Sequence, residues 1–404
     1  MIHDRLILDN NFAEKLDTCF QAEFGVTPSR YFSAPGRTEI GGNHTDHQRG
    51  RVLAGAVNLD TVAAVKPNGT SYIRIISEGY PKCEVNVADL TPKNDEVNTT
   101  AALIRGVAAR FAQLGCVVEG FDAYVVSTVL PGSGLSSSAA YEVLIGTIIN
   151  HLFFDCKASQ PEIAMIGQYA ENVFFGKPCG LMDQMASAVG GMVTIDFLDK
   201  DHPVIEKVDF DFASCGHALC IVDSRASHAD LTDEYAAITQ ELKGICGYFG
   251  KSVLTEIDEK DFIGAIPELR KLYGDRAVLR AYHFYQDNSR VPQQVDALKR
   301  GDFDEFLRLV KESGYSSYMY LQNVIPAGYK EHQDVALSLA LCQMYLAGRG
   351  AYRVHGGGFA GTVQAFVPLD ILDSFRNGID AVLGAGACHV LSIRPHGGVE
   401  AYKN

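Results

Sequence analysis

The sequence predicts a protein of two domains in which α-helices and β-strands are mixed. The chain has 404 residues, of which 47% are hydrophobic, enough to build a large core that is usually divided between domains. Strand-like and helix-like segments also follow one another: β-branched and aromatic residues fill 121–130, and apolar residues recur at helical spacing in 141–149. We place the change from the first domain, residues 1–215, to the second, residues 216–404, around Gly216.

The individual elements follow from local patterns along the chain. Helical spacing of apolar residues predicts helices over 12–24, 98–114, 161–175, 181–187, 233–249 and 268–309. Apolar runs rich in β-branched residues predict strands over 52–65, 121–130, 193–197 and 219–223, with a further strand after a glycine turn at 356–358. Polar residues at 198–203 predict a surface turn. The pattern leaves open whether the last strands return to the first domain.

The composition narrows the class of protein. A formal net charge of -14 argues against a surface for nucleic acids or anionic membranes. Residues 1–5 lack the features of a signal peptide, and no apolar run approaches the length of a membrane span. The ten cysteines include no C-x-x-C pair, so we expect reduced thiols. We therefore expect a cytoplasmic protein without a nucleic-acid or membrane partner. The sequence does not fix the oligomeric state, and a monomer is our expectation.

The segment 130–140 has the pattern of a phosphate-binding loop. It joins a predicted strand to a predicted helix, and Gly132 and Gly134 allow left-handed backbone angles and close approach to a ligand. Unpaired N–H groups at a helix start attract an anion, and the serines offer hydroxyls to phosphate or magnesium. The alternative is an ordinary turn followed by a serine-capped helix.

The segment 37–48 is a loop with an unusual density of polar groups. It carries an arginine, a glutamate, an asparagine, two histidines and an aspartate around two glycines, with a third glycine, Gly36, just before it, a density that is rare where only packing is needed. A metal site of His44, Asp46 and His47 is one alternative, although the histidines lack the i, i+4 spacing of a zinc helix. A solvated turn is the other alternative to a ligand site.

Two further positions have both a structural and a functional interpretation. Asp183 lies near the start of a predicted helix, where a capping role is common. The glycines 356–358 form either a tight hairpin or a place where the backbone approaches a ligand. Rival nucleotide motifs fail: Ile245 stands where a Walker A loop needs glycine, and neither protein-kinase nor dinucleotide-binding signatures occur.

Four segments, in chain order, resemble the sugar-kinase family that includes galactokinase, mevalonate kinase and homoserine kinase. These are 37–48, 130–140, 180–184 and 356–361, and together they span nearly the whole chain. Four ordered motifs are much more specific than one. The resemblance implies an α+β fold of two domains with the active site in the cleft between them, and ATP and Mg²⁺ as cofactors.

The resemblance also implies a role for each matching residue. Asp183 is the catalytic carboxylate beside the anomeric hydroxyl, and Arg37 stabilises charge on the transferred phosphoryl group. Ser138 and Glu171 match the magnesium-binding pair. The ATP-binding residues are Pro131, Gly132, Ser133, Gly134, Leu135, Ser136, Ser137, Gly357 and Gly358. The sugar-binding residues are Asn43, His44, Asp46, Gly180 and Tyr235.

The match departs from typical galactokinases in the segment 37–48, which we call the sugar loop. Galactokinases carry glutamate where this chain has Asn43, and that carboxylate lies near the C6 hydroxyl of the sugar. An asparagine offers N–H donors to a C6 carboxylate that a glutamate would repel. The segments 46–48 and 312–317 also resemble galacturonate kinases. Arg49 and Arg51 are candidate cations for a uronate, and a solvated face is the alternative for both.

The resulting expectation is a kinase that uses ATP to phosphorylate the anomeric C1 hydroxyl of a galactose-configured sugar. We favour D-galacturonate as its substrate, with D-galactose as the alternative. A sugar sensor without turnover and a kinase for a non-sugar alcohol such as mevalonate are further alternatives. The intact set of Asp183, Arg37, Ser138 and Glu171 argues against the first, and the sugar loop argues against the second.

Overall fold

The structure, a computed structural model, describes residues 6–129, 134–177, 179–226 and 231–403. Its strands, in chain order, are β1 (Leu6–Ile7), β2 (Arg30–Gly41), β3 (Arg51–Pro67), β4 (Tyr72–Ser77), β5 (Cys83–Asn86), β6 (Phe121–Ser127), β7 (Met192–Asp196), β8 (Val204–Val208), β9 (His217–Asp223), β10 (Ala351–His355), β11 (Thr362–Pro368), β12 (Cys388–Leu391) and β13 (Val399–Tyr402). Its helices are α1 (Asn10–Phe24), α2 (Thr100–Gln113), α3 (Ser137–Phe153), α4 (Gln160–Tyr169), α5 (Met182–Val189), α6 (Thr232–Tyr248), α7 (Glu259–Lys299), α8 (Phe303–Ser316), α9 (Asp334–Leu346) and α10 (Leu372–Leu383). The predicted mixture of helices and strands is present.

The larger sheet contains nine strands among the described residues. Its spatial order is β1–β13–β2–β3–β6–β4–β5, and β7 and β8 continue it from β3. The long strands β2 and β3 pair antiparallel at its centre, with register shifts between Pro35 and Arg37 and between Glu39 and Gly41. From Tyr31 onward β2 is buried along its whole length. Its polar side chains therefore lie in the interior, where each needs a hydrogen-bonding partner.

The side chains of β2 alternate between the two faces of the larger sheet, and helices pack against both faces. Phe32 packs into a core with α2, α3, α4 and α5. Tyr31 points the other way and packs against Leu16 and Phe20 of α1. Local sequence defines the helix starts: the Thr99 side chain accepts from the N–H of Ala102 at α2, and a capping box precedes α4.

The smaller sheet has the order β10–β11–β9–β12, with all neighbours antiparallel. Helices α9 and α10 pack on one side of it around Phe375. Helices α7 and α8 lie between the two sheets, where Phe306 joins Leu53 of β3 and Ile221 of β9 in one core. Helical structure dominates 268–309, as the sequence predicts, and it is divided between α7 and α8 because Gly301 turns the chain with φ 69° between them.

The chain crosses from the larger to the smaller sheet between β8 and β9, next to the predicted boundary at Gly216. The last strand, however, returns to the larger sheet, where β13 pairs parallel with β1 and antiparallel with β2. A second unit of 216–404 therefore includes four residues that complete the first sheet. The predicted turn at 198–203 is followed by β8, a strand that the sequence pattern did not predict.

Candidate active site

Arg37 and Asp183 form a bidentate ion pair where β2 meets the start of α5. Arg37 Nε donates to Asp183 Oδ1 at 2.7 Å, and Nη2 donates to Oδ2 at 2.9 Å. The Arg37 side chain is 7% exposed, whereas that of Asp183 is 33% exposed. The carboxylate therefore has one side open to solvent, while its cationic partner is held inside the protein.

The surroundings of Asp183 keep its carboxylate ionised. Burial by itself would raise the pKa of Asp183, but the charge and hydrogen bonds of Arg37 and the hydroxyl of Ser136 outweigh it and lower the pKa. Ser136 Oγ donates to Asp183 Oδ2 at 2.6 Å. The Asp183 side chain does not cap α5, the helix in which it lies. A carboxylate of this kind is a weak proton acceptor, but its lone pairs can orient a hydroxyl.

The predicted phosphate loop is described from Gly134 onward, and Pro131, Gly132 and Ser133 lie outside the described residues. The carbonyl of Gly134 accepts a hydrogen bond from Arg37 Nη1, and the carbonyl of Leu135 accepts from the Arg37 N–H at 3.0 Å.

The hydroxyl of Ser136 does not cap α3, which begins at Ser137. It bonds Asp183 instead. The first N–H groups of this helix thus have no capping side chain, which suits an anion site.

Ser138 and Glu171 face each other at the first turn of α3. Ser138 Oγ lies 3.5 Å from Glu171 Oε1, and Lys177 Nζ is also 3.5 Å from that oxygen. Glu171 belongs to a π-helical stretch, Ala170–Phe175, that continues α4. The wider turn of a π-helix changes the direction of its side chains and is frequent at functional sites. The helix predicted over 161–175 thus contains an irregularity that periodicity did not reveal.

Two buried carboxylates, those of Glu142 and Glu171, accept hydrogen bonds from the same side-chain amide, that of Gln184. Gln184 Nε2 donates to Glu171 Oε2 and to Glu142 Oε2, at 3.0 Å each. Glu142 Oε1 has no hydrogen-bond partner among the described residues, although the side chain is fully buried. Burial and the neighbouring Glu171 raise the pKa of Glu142 well above its usual value. The excess of buried acceptors over donors fits a divalent cation at Glu171.

The donor set suits magnesium better than zinc. Within the described ranges, no three histidine, cysteine, aspartate or glutamate side chains come together as a metal site. That includes the alternative metal centre of His44, Asp46 and His47. Magnesium in kinases is held by one or two protein oxygens together with phosphate and water. Glu171 and Ser138 can supply such oxygens.

Asn43 is completely buried and makes hydrogen bonds with every polar atom of its side chain. Its Nδ2 donates to Glu39 Oε1 at 3.0 Å and to the carbonyl of Gly356 at 2.7 Å. Its Oδ1 accepts from Ser317 Oγ at 3.1 Å and from Asn323 Nδ2 at 2.9 Å. The resemblance to galacturonate kinases predicts that its N–H groups face a C6 substituent. Both amide hydrogens have acceptors inside the protein instead.

His44 and Asp46 lie beside Gly357 and Gly180. Burial, and then the nearby His47, lower the pKa of His44 to about 3, so the ring is neutral. Its Nε2 lies 2.9 Å from the carbonyl of Gly357, which requires an Nε2–H donor and leaves the lone pair on Nδ1. A Cβ at Gly180 would overlap the Asp46 carboxylate in its present position, so the absence of a side chain at Gly180 permits this close approach.

Tyr235 and the third glycine motif pack against each other. Tyr235 Oη donates to the carbonyl of Gly358 at 2.8 Å, and its ring contacts Phe359 edge-on at 5.4 Å. Gly358 has φ +78°, and a Cβ there would overlap the carbonyl of Asn323. The glycines thus place the turn 356–358 against the sugar loop. Gly357 and Gly358 are predicted ATP ligands, but their carbonyls bond His44, Asn323 and Tyr235.

The two candidate cations for a uronate have carboxylate partners. Arg51 Nε donates to Asp196 at 2.8 Å, and Arg49 Nη1 lies 3.4 Å from Glu256. Both arginine side chains are partly exposed. These contacts favour the interpretation of a solvated face over that of a substrate-binding pair.

The sequence analysis missed several buried polar residues near the site. Arg353 is fully buried and donates from Nη2 to Glu39 Oε1 at 2.5 Å. His283 Nε2 lies 3.0 Å from the carbonyl of Asn43, and Asp287 Oδ2 accepts from the Asn43 N–H at 2.7 Å. A charged residue inside an otherwise apolar strand, such as Arg353 in β10, was the available signal.

The fold is that of a small-molecule kinase of the GHMP class. Residues 102–191 match the family model described as "GHMP kinases N terminal domain", and residues 18–67 match "Galactokinase galactose-binding signature". The fold resembles that of the Lactococcus lactis galactokinase crystallised with galactose, with a TM-score of 0.81 at 23% identity, covering 96% of this chain and 99% of that one. A mevalonate kinase from Methanococcus jannaschii has a TM-score of 0.63 at 13% identity, covering 90% and 98%. The predicted α+β kinase fold is confirmed.

The chain belongs to the galactokinase family. It is 31% identical over 374 residues to a galactokinase of Glaesserella parasuis serovar 5 (strain SH0165), covering 90% of this chain and 91% of that one. It is also 31% identical over 360 residues to a galactokinase of Actinobacillus pleuropneumoniae, covering 88% and 90%. The protein is accordingly a sugar kinase, and kinases of this family use ATP. Among the described residues, no helix has both the length and the apolar character that crossing a membrane requires.

Proposed function

We propose that this protein transfers the γ-phosphoryl group of ATP to the C1 hydroxyl of D-galactose, with Mg²⁺ as the metal. The observation that carries the proposal is the Arg37–Asp183 pair. Asp183 stands at the start of α5, the helix that follows Gly180, and it is bonded to Arg37 and to Ser136 of the phosphate loop. One side of its carboxylate remains open to solvent. The acceptor hydroxyl and the phosphates would therefore meet at the one side of Asp183 that is not enclosed.

The roles of the residues follow from their charges. Asp183 accepts a hydrogen bond from the C1 hydroxyl and orients it toward the γ-phosphorus. A new P–O bond forms to the C1 oxygen as the bond to the bridging oxygen of ADP breaks, and the hydroxyl proton leaves to Asp183 or to water. Arg37 is fixed by its carboxylate partner and stabilises charge on the transferred group. Glu171 and Ser138 would hold Mg²⁺, which neutralises phosphate charge when bound.

Galactose is preferred over galacturonate on three grounds. The relatives at 31% identity are galactokinases. Both amide hydrogens of Asn43 are used inside the protein, so they are not available to a C6 carboxylate without exchange of these bonds. Arg49 and Arg51 also have carboxylate partners. These observations favour the alternative substrate of the sequence analysis over the one that it preferred.

Galacturonate is the second candidate because a neutral amide stands at position 43. A glutamate there would repel a C6 carboxylate at short range, and Asn43 removes that repulsion. The segments 46–48 and 312–317 point in the same direction.

A substrate panel tests the proposal. ADP release is measured with Mg²⁺ and ATP against galactose, galacturonate, N-acetylgalactosamine, arabinose and mevalonate, and the specificity constants are compared. The Asp183→Asn variant serves as the blank, because it preserves the shape of the side chain but removes its charge. ³¹P and ¹³C NMR of the product identify the phosphorylated carbon.

The outcomes separate the candidates. A specificity constant for galactose that exceeds the others by about tenfold supports the proposal. A preference for galacturonate would replace galactose as substrate while keeping the C1 kinase reaction. Phosphate on a carbon other than C1, or no turnover on any sugar, would contradict it.

A further inference from the structure

Asn43 is the point at which the sugar loop is fastened to the carboxy-terminal half of the chain. Four side chains surround it: Glu39 from β2, Arg353 from β10, Ser317 and Asn323. We refer to Glu39, Asn43, Ser317, Asn323 and Arg353 as the sugar-loop clasp. Asn43 bonds three of these side chains directly, and Arg353 reaches it through Glu39.

The backbone of Asn43 is held as firmly as its side chain. The N–H donates to Asp287 Oδ2 at 2.7 Å, and the carbonyl lies 3.0 Å from His283 Nε2. Both partners are on α7. Six hydrogen bonds thus hold this one residue of the sugar loop: two are with α7, one is with the π-helical turn Ser317–Leu321 that follows α8, one is with the third glycine motif, and the other two are with Glu39 and Asn323.

The clasp contains one carboxylate and one amide in direct contact. Burial raises the pKa of Glu39 to about 7, and the charges of Arg353 and Arg37 oppose that rise. The carboxylate needs hydrogen-bond donors because it is only 3% exposed. Asn43 supplies one donor and Arg353 supplies another. A second carboxylate at position 43 would instead place two acceptors against each other in the interior.

The same residue sets the position of a predicted sugar contact. His44 follows Asn43 with a left-handed φ of 58°, and its Nε2 bonds the carbonyl of Gly357. Asn43 Nδ2 bonds the carbonyl of Gly356, one residue earlier. Asn323 Nδ2 bonds both Asn43 and Gly357. A shift of Asn43 would therefore move His44 and the glycine motif together.

We propose that Glu39 and Asn43 act as one unit that fastens the sugar loop to the carboxy-terminal half, and that Asn43 positions His44 rather than contacting the sugar. The proposal rests on the sugar-kinase reaction, but it holds for galactose and galacturonate alike. It assigns Asn43 a positioning role that the resemblance to galactokinases did not imply.

The test is a double-mutant cycle with isosteric substitutions. Asn43→Asp keeps the size of the side chain but places a carboxylate against Glu39. Glu39→Gln removes the charge at the other position. The double variant, with both substitutions, exchanges amide and carboxylate and restores a donor–acceptor contact. Asn10→Asp, the same chemical change at an exposed position of α1, is the matched control. KM for the sugar, KM for ATP, kcat and the unfolding midpoint are measured for each variant.

We expect Asn43→Asp to raise KM for the sugar by about tenfold while KM for ATP changes little. The double variant should recover part of this loss, since the carboxylate at position 43 then meets an amide at position 39 but still faces the carbonyl of Gly356, and Arg353 loses its carboxylate partner. Mere loss of folded enzyme would lower kcat and leave both KM values unchanged. Effects that simply multiply in the double variant, or an unchanged KM for the sugar in Asn43→Asp, would overturn the proposal. Equal rises in the two KM values would also overturn it.

Two further measurements test the proposal if Asn43→Asp does not fold or if the panel identifies no sugar substrate. If Asn43→Asp does not fold, Ser317→Ala removes one hydrogen bond to Asn43 without adding charge. Its KM for the sugar should rise by about threefold, and an unchanged KM contradicts the proposal. If the panel identifies no sugar, the cycle is read from the unfolding midpoints. Recovery in the double variant then supports the Glu39–Asn43 unit, and additive losses contradict it, independently of the proposed function.

Discussion

Two polar clusters of similar size are built on neighbouring positions of β2, one at Arg37 and one at Glu39, and they differ in how far their hydrogen bonds are completed inside the protein. The transfer cluster, Arg37, Ser136, Asp183 and Glu171, is open to a ligand: the Asp183 side chain is a third exposed although both of its oxygens are bonded, and Glu142, behind Glu171, has an oxygen with no partner among the described residues. In the sugar-loop clasp, every polar atom of the central residue Asn43 is bonded inside the protein, and Asn323 Oδ1 is a buried atom without a partner among the described residues. A cluster with an exposed carboxylate is arranged for ligands, whereas a buried cluster whose central residue is fully bonded holds a shape.

The transfer cluster should respond most strongly to loss of charge. We expect Asp183→Asn to lower kcat by about a thousandfold, because the acceptor hydroxyl loses its orienting charge. Binding of ATP, measured by calorimetry, should change much less. The unfolding midpoint should fall, since the buried Arg37 loses its ionic partner. Asp201→Asn, on an exposed turn, is the control. Turnover within tenfold of the parent would remove Asp183 from the centre of the reaction.

Glu171 should come next in effect, through the metal. Glu171→Gln preserves the size of the side chain beside Gln184 but replaces a charged magnesium ligand with a neutral one. The Mg²⁺ concentration that gives half-maximal rate should therefore rise by at least about tenfold. Binding of Mn²⁺ in the presence of ADP, followed by electron paramagnetic resonance, gives a second readout. Glu14→Gln on α1 is the matched control. Unchanged metal dependence would mean that the excess of buried carboxylates has another purpose.

The clasp should be visible in the pH dependence of stability. The pKa of Glu39 is raised to about 7 by burial, against the charges of Arg353 and Arg37, while Asp46 adds to the rise. The pKa of this carboxyl is therefore higher in the folded protein than in the unfolded chain, where it is about 4.5. Its contribution to stability is complete below that pH and is lost as the pH rises through about 7.

The unfolding free energy of the parent, relative to Glu39→Gln, should therefore fall across that window by at most about 1.4 kcal/mol per pH unit. Urea unfolding at several pH values measures this difference. Curves that stay parallel would show that Glu39 is not protonated in the folded state.

The smallest effect is expected at Lys177. Its amine lies 3.5 Å from Glu171, but its side chain is 64% exposed, so water and salt screen the charge. Lys177→Met should change kcat/KM by less than about threefold. A larger loss, assayed at low and high salt, would extend the transfer cluster to include this residue.

Local motifs predicted the transfer cluster better than the clasp. Arg37, Ser138 and Asp183 each stand in one of the four short motifs, and the structure brings them together with Glu171, which lies outside those motifs. Glu39 and Arg353 are 314 positions apart and belong to different sheets, so no periodicity connects them. The departure at Asn43 was visible in the sequence, but its burial was not, because that depends on how α7 and the turn 317–321 pack over the loop.

The fold shows the same division between local and distant information. Strands such as β3, β7 and β9 follow from their composition and were predicted within a few residues. The break between α7 and α8 was missed because the apolar spacing continues through it. The return of β13 to the larger sheet depends on pairing with β1 and β2, which lie at the other end of the chain.

That pairing has a consequence for how the protein is made. Glu400 bonds Arg30 at 2.6 Å across 370 positions, within the strand that lies between β1 and β2. A ribosome must therefore deliver the chain as far as β13 before this edge of the larger sheet can close. Until then β2 presents unpaired backbone groups to the cell, which invites association with other nascent chains. Dependence on chaperones during synthesis, rather than weak stability afterwards, is the property that this topology favours.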